Sequence, residues 1–217
     1  MTTTQTTCRK CGNCCKKGGP ALHTQDLPLI RSGKIPMSAL ITIRKGELAH
    51  NPVTGLQQVS VELVKIIGAG RQWNCCYYDE NDGCTIYDHR PHACRLLKCW
   101  DTEDILAIIE KDTLSRFDIL DPDDPLIPVI REHERICPCD DLQEIRENIG
   151  QLSDKKKKEL EKRVRDDLRF RTRIIADYKL KLNKELFCFG RPFFQLLQAL
   201  GVGVSESGSG VVLRWEK

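Results

Sequence analysis

The chain has 217 residues, enough for one domain or one domain with an extension; 40% are hydrophobic but only 6% aromatic. With 30% charged residues and a formal net charge of +3, the overall balance gives no push toward nucleic acid or a membrane surface. Twelve cysteines exceed the usual share, so apolar packing cannot be all that holds this fold.

The sequence starts Met-Thr-Thr-Thr-Gln-Thr-Thr ahead of Cys8, with neither a basic start nor an apolar run of signal-peptide length. No run of about 18 apolar residues exists, so no transmembrane helix is expected. The expected location is the cytoplasm, where thiols stay reduced and clustered cysteines mean metal or catalysis rather than disulfides. Residues 8–19 have no hydrophobic period and form a metal-dependent loop. Residues 24–31 predict a short helix capped by Thr24. Residues 38–45 and 57–67, with Val59, Val61, Leu63 and Ile66, predict two strands joined by a turn at residues 51–55. Gly68-Ala69-Gly70 ends the second strand.

Residues 75–100 hold a second cysteine group. Asp101 then caps a helix carrying Ile105, Leu106, Ile108 and Ile109. Asp121-Pro-Asp-Asp-Pro is a turn, and Asp124 followed by Pro125 starts a short helix running to about Glu134. Cys137-Pro138-Cys139 follows. Beyond residue 140, Leu160, Val164, Leu168, Ile175, Tyr178, Leu182 and Leu186 recur at steps of three, four or seven, the period of an amphipathic helix. Ser153 is its cap. Arg191-Pro192 begins a shorter helix from Phe193 to about Leu200, closed by Gly201. The end, residues 202–215, reads as a hairpin with a Gly/Ser turn. The fold class expected is α+β: a small irregular cysteine-rich domain with short strands and helices over residues 1–140, then a C-terminal helical extension over 141–217.

The first cysteine group is Cys8-Arg-Lys-Cys11-Gly-Asn-Cys14-Cys15. A two-residue gap lets two sulfurs converge on one centre, and Gly12 lets the backbone bend close to it. Lys10, Lys16 and Lys17 place positive charge beside the sulfurs, which favours thiolates. Adjacent Cys14 and Cys15 normally point apart, so they serve two sites, or one ligates and the other packs. In the second group, Cys75 and Cys84 flank a hairpin turn at Glu80-Asn81-Asp82-Gly83 that would set them close across a ladder. Pro91 can open a helix with Cys94 in its first turn. Cys137 and Cys139 make a third group. Thiolates suit zinc and iron–sulfur clusters and suit magnesium or calcium poorly. One tetrahedral site takes about four ligands, so the three groups allow two centres. The start Cys8-x2-Cys11-x2-Cys14 is similar to that of a bacterial ferredoxin run, which tilts the reading slightly to iron–sulfur and leaves zinc open. Cys76 and Cys188 read as buried small hydrophobes.

Cys8-x2-Cys11-x2-Cys14-Cys15, followed by Cys84-x-Ile86-Tyr87-x2-Arg90-Pro91-x2-Cys94-Arg95, resembles the YkgJ family of cysteine-cluster proteins, described as zinc- or iron-chelating. The resemblance covers about residues 8–140. It implies that Cys8, Cys11, Cys14, Cys15, Cys75, Cys84 and Cys94 are the ligand set, with Cys99 and Cys137 as subfamily ligands. Flagellin lysine N-methylases carry a similar cysteine domain linked to an iron–sulfur cluster. A metal-dependent protein-modifying enzyme is therefore the alternative to a structural or redox metal-binding protein. No methyl-donor motif, phosphate loop, His-Glu-x-x-His or dinucleotide fingerprint is present.

Arg90 and Arg95 flank Cys94 and either pair with Asp79 or Asp88 or offset thiolate charge. His89, His92 and His133 lie near cysteines and could replace one as a ligand. Tyr77, Tyr78 and Tyr87 are expected to pack around the site. Residues 153–191 hold fourteen Lys/Arg against seven Asp/Glu. That basic helix is expected to face solvent or a protein partner; nucleic acid is not expected.

Overall fold

Short apolar runs broken by Gly, Pro and Asx residues give short elements. The computed structural model describes residues 5–51, 53–178, 180, 182–207 and 210–215. In chain order come α1 (Leu27–Arg31), β1 (Leu40–Ile43), β2 (Leu48–Asn51), β3 (Gly55–Gln58) and β4 (Leu63–Ile66). Four very short strands follow, β5 (Gly68–Ala69), β6 (Asn74–Cys75), β7 (Tyr78–Asp79) and β8 (Gly83–Cys84), then α2 (His92–Leu96), α3 (Glu103–Leu106) and α4 (Arg116–Ile119). The rest holds α5 (Leu126–Ile136), α6 (Leu142–Glu147), α7 (Asp154–Asp177), α8 (Leu182–Phe189), α9 (Phe193–Gln198), β9 (Gly203–Ser207) and β10 (Gly210–Arg214). The class is the expected α+β, built from helices and small antiparallel pairs.

The chain divides into two units, residues 1–41 with 63–119, and residues 42–62 with 120–217. In the first, Leu22 N–H donates to Val64 O (2.8 Å), Val64 N–H to Leu114 O (3.0 Å) and Leu114 N–H to Leu22 O (2.9 Å). This ring of bonds ties three distant segments together around buried Leu22, Ile35, Leu40, Val64 and Leu114. The predicted helix at 24–31 is a 3₁₀ turn, Thr24–Asp26, running into α1. Its cap is His23, not Thr24. Asp26 Oδ2 accepts the His23 N–H at 3.0 Å, while Oδ1 accepts the His92 N–H at 2.7 Å. One fully buried carboxylate thus anchors the starts of both α1 and α2. Asp101 Oδ1 accepts the Glu103 N–H (3.1 Å), but the cap position of α3 is Thr102 rather than Asp101, and the helix stops at Leu106, so Ile108 and Ile109 fall in the turns beyond it.

In the second unit, the expected turn at 51–55 joins β2 to β3: Asn51 Oδ1 accepts the N–H groups of Val53 (2.8 Å) and Thr54 (3.3 Å). Pro52 lies outside the described residues. The strand expected over 38–45 is β1, that over 57–67 is the end of β3 and then β4, and β2 lies between the two expected ranges. Asp124 Oδ1 accepts the Leu126 N–H at 2.8 Å and starts α5. Ser153 Oγ accepts the Lys156 N–H at 3.2 Å and starts α7. The apolar stripe read through Leu186 belongs to two helices. The chain leaves α7 at Tyr178, and Leu186 falls on α8. At the far end of α8, Arg171 of α7 donates to the carbonyls of Phe189 (3.0 Å), Gly190 (3.1 Å) and Arg191 (3.2 Å), tying the turn into α9 to α7.

The buried face of α7 is Leu160, Val164, Asp167, Phe170, Arg171 and Ile174. Leu160 and Val164 pack with Leu142, Ile145, Phe193 and Leu197 in one apolar cluster. β9 and β10 pair antiparallel from Gly203↔Arg214 to Ser207↔Gly210; the Gly/Ser turn expected between them lies outside the described residues. Part of the basic excess of α7 is paired within the unit. Arg163 bonds Asp141 (2.6 and 2.9 Å), and Lys156 bonds the same carboxylate (3.0 Å). Among the described residues, no helix is long and apolar enough to cross a membrane.

Candidate metal centre

The first unit gathers sulfur through tight turns. Lys16 N–H donates to Gly12 O (2.9 Å), Lys17 N–H to Cys14 O (3.2 Å) and Gly18 N–H to Cys15 O (3.1 Å), which coils residues 12–18. That coil brings the Cys14 and Cys15 sulfurs to 4.0 Å of each other, where an extended chain would point them apart. Gly12 has φ +73°, and a Cβ there would enter the Tyr78 ring. Only glycine allows both that backbone and that approach.

The turn at residues 80–83 forms as expected, with Asp79 Oδ1 accepting the N–H groups of Asn81 (2.8 Å) and Asp82 (3.0 Å). The register, however, pairs Cys84 with Tyr78, and Cys75 with Gly68 on a separate ladder. Cys75 and Cys84 are not cross-strand partners. They still lie close enough for their charges to interact, as Cys94, at the centre of α2, does with both.

Burial, reinforced by Cys14, Cys75 and Cys84, pushes the Cys15 thiol up to about 12. Burial also raises Cys94, and Cys75, Cys14, Cys15 and Cys84 raise it further. Burial raises Cys84 against the opposing Ile86 amide and Arg90 guanidinium. A hydrogen bond with Cys76, then burial, raises Cys75, and the same bond lowers Cys76 against its own burial. Sulfurs from three stretches of chain thus interact: Cys14 and Cys75 both oppose ionisation of Cys15, Cys84 and Cys94. A cation coordinated among them removes that opposition by holding the thiolates outright. The donor set is soft, so it fits zinc or iron and not a hard oxygen-seeking ion.

Cys8 and Cys99, both exposed, make other contacts: Lys10 N–H donates to Cys8 Sγ (3.4 Å) and Gln5 Nε2 to Cys99 Sγ (3.7 Å). Cys11 is exposed in the same unit. The tyrosines pack as expected. Tyr78 covers Gly12, and Tyr87 carries the Lys10 ammonium (4.3 Å) and the Arg90 guanidinium (3.7 Å) on its ring. Of the two roles weighed for Arg90, the structure supports charge compensation, since it lowers Cys84 while Asp79 is occupied by turn amides. All twelve cysteines are free thiols. Cys188 is fully buried in the second unit, as read from the sequence, whereas Cys76 is only half-buried.

Cys137 and Cys139 belong to the second unit, where sequence reasoning missed their surroundings. His133, Cys137 and Asp167 are all buried, with ligand-type atoms within 4.8 Å of one another. His133 Nε2 donates to Asp167 Oδ1 (2.6 Å), Arg171 Nε donates to the same oxygen (2.8 Å), and Phe193 N–H donates to Oδ2 (2.8 Å). Burial pulls His133 down to about 4, against the pull of Asp167 and with help from Arg44 and Arg171. Asp167 is held at about 2, because His133 and Arg171 outweigh its burial. Arg44 donates from Nη1 to Cys137 O (2.8 Å) and from Nε to Glu47 (3.2 Å). The one sequence signal was the four-residue step from His133 to Cys137, which puts both on one face of a helix.

A family model named CxxCxxCC, with the description "Putative zinc- or iron-chelating domain", matches residues 7–114. No curated protein and no solved structure matches the chain. The match runs from just before Cys8 to Leu114, so it includes all five gathered sulfurs and leaves out Cys137, Cys139 and Cys188. On that match the chain belongs to the CxxCxxCC family, the YkgJ type of cysteine-cluster protein.

Proposed function

We propose that the first unit chelates an iron–sulfur cluster through Cys14, Cys15, Cys75, Cys84 and Cys94, with Cys8 and Cys11 completing the set, and that the centre is structural or redox-active. One observation carries this reading: five sulfurs, with Cys14 and Cys75 acting on Cys15, Cys84 and Cys94, outnumber the four that a closed zinc site takes. A cluster accommodates more thiolates than one zinc ion, and its electronic states supply redox chemistry when bound. The protein's own residues position the sulfurs through the coil at residues 12–18. They offset thiolate charge through Arg90 and cover the loop with Tyr78 and Tyr87. Zinc in the same cysteines is the second reading, favoured by the family description. Free thiols suit a reducing compartment such as the cytoplasm.

The test is anaerobic purification of the full chain followed by metal analysis, acid-labile sulfide analysis and an absorption spectrum. Iron with sulfide and visible charge-transfer bands is expected. Colourless protein with whole-number zinc overturns the cluster and keeps the chelating role; folded protein with no metal overturns both.

A further inference from the structure

We propose that the second unit carries its own site for a divalent borderline metal ion of the zinc class. His133 Nδ1, Cys137 Sγ and Cys139 Sγ are its protein donors, and Asp167 orients the imidazole. The proposal does not rest on the centre of the first unit, and its residues lie beyond the family match.

His133 sits one helical turn before Cys137 at the end of α5, and Cys137 N–H closes that turn on His133 O (2.9 Å). Its Nε2 is committed to Asp167 Oδ1 at 2.6 Å, which puts the proton on Nε2 and leaves the lone pair on Nδ1. Nδ1 is buried and has no hydrogen-bond partner. An orphaned buried acceptor is costly. A carboxylate holding the far nitrogen of an imidazole is the arrangement that presents a histidine to zinc. Asp167 itself is saturated by His133, Arg171 and Phe193 N–H, so it acts as the orienting group rather than a further donor. Ligand-type atoms of His133, Cys137 and Asp167 lie within 4.8 Å of one another, and Cys139 stands outside that group. Donors about 2.0–2.3 Å from a zinc ion stand somewhat closer than that, so His133 and Cys137 contract on the ion and Cys139 moves in to join them.

Cys139 lines a cavity of about 220 Å³ together with Cys137 and Arg44, and its thiol interacts electrostatically with that of Cys137. That cavity gives an ion an entry path and room for a water ligand. Charge is the strongest objection, because Arg44 and Arg171 are both buried here. Each already has a carboxylate partner, Glu47 at 3.2 Å and Glu185 at 2.9 Å. A divalent ion with two thiolates adds no net charge to that balance. The carbonyl end of α5 also faces the site, and a cation there is favoured.

The test uses the full chain loaded with cadmium and read by cadmium-113 NMR, alongside His133→Gln and Cys137→Ser. Expected is a resonance from a mixed nitrogen–sulfur site, upfield of the all-sulfur signal of the first unit. It should vanish in both variants, with one ion fewer per chain, while the all-sulfur signal stays. Absence of the mixed signal from the wild type, or its persistence in both variants at unchanged stoichiometry, overturns the proposal. The wild-type spectrum decides alone if a variant fails to fold. Loss of only the all-sulfur signal would sink the chelation reading of the first unit and leave this one standing.

Discussion

The two units solve the same problem with different materials. The first holds nine of the twelve cysteines and one of the six phenylalanines; the second holds five phenylalanines and three cysteines. The first has four strands of two residues, a four-residue β4 and helices of four or five, whereas the second has α5 of 11 residues and α7 of 24. A buried phenylalanine stabilises by roughly 2–3 kcal/mol, so Phe187, Phe189 and Phe193 give the second unit what the first lacks. The difference points to where a chelated metal would contribute most: the first unit, whose elements are short and whose sulfurs interact across three stretches of chain.

Metal removal breaks the comparison most sharply. Stripping the protein with a strong chelator should cost the first unit on the order of 10 kcal/mol. Hydrogen exchange would then show lost protection at Leu22, Val64 and Leu114, with Phe193 and Leu197 still protected. Next in size is Arg171→Met, which leaves buried Asp167 with a missing cation and three carbonyls unpaired. It should destabilise the second unit by about 3–5 kcal/mol by denaturant unfolding and leave the first unit's metal content unchanged. Gly12→Ala works the other way. Its strained backbone and clash with Tyr78 should cost about 1–3 kcal/mol and lower metal content, with α7 unaffected. The smallest effect is Ser153→Ala, about 1 kcal/mol from the lost cap, confined to the second unit and visible as a small fall in its melting temperature.

Much of this was legible locally. The Ser153 cap, the Asp124 start of α5, the Asn51 turn and the terminal hairpin are each written in a few adjacent residues. So was the family, because its motif is a matter of spacing. The Cys75–Cys84 pairing was not legible. A turn at residues 80–83 fixes a hairpin but not which residues face across it, and Cys75 is drawn to Gly68, where Trp73 lies against the bare backbone. The helix break after Tyr178 was hidden because Leu182 and Leu186 keep the same period on a new helix. The buried face of α7 was hidden too. Asp167 and Arg171 look like solvent-facing charges in a basic run, and only distant partners, His133, Glu185 and the end of α8, make them core residues.

The central claim is that sulfurs from residues 14–15, 75–84 and 94 meet at one inorganic centre. X-ray absorption at the metal edge of anaerobically purified protein tests it most directly. The account predicts a first shell dominated by sulfur at about 2.3 Å, with that sulfur signal diminished in Cys94→Ser. A first shell of nitrogen and oxygen alone, or a sulfur shell indifferent to Cys94, would contradict it.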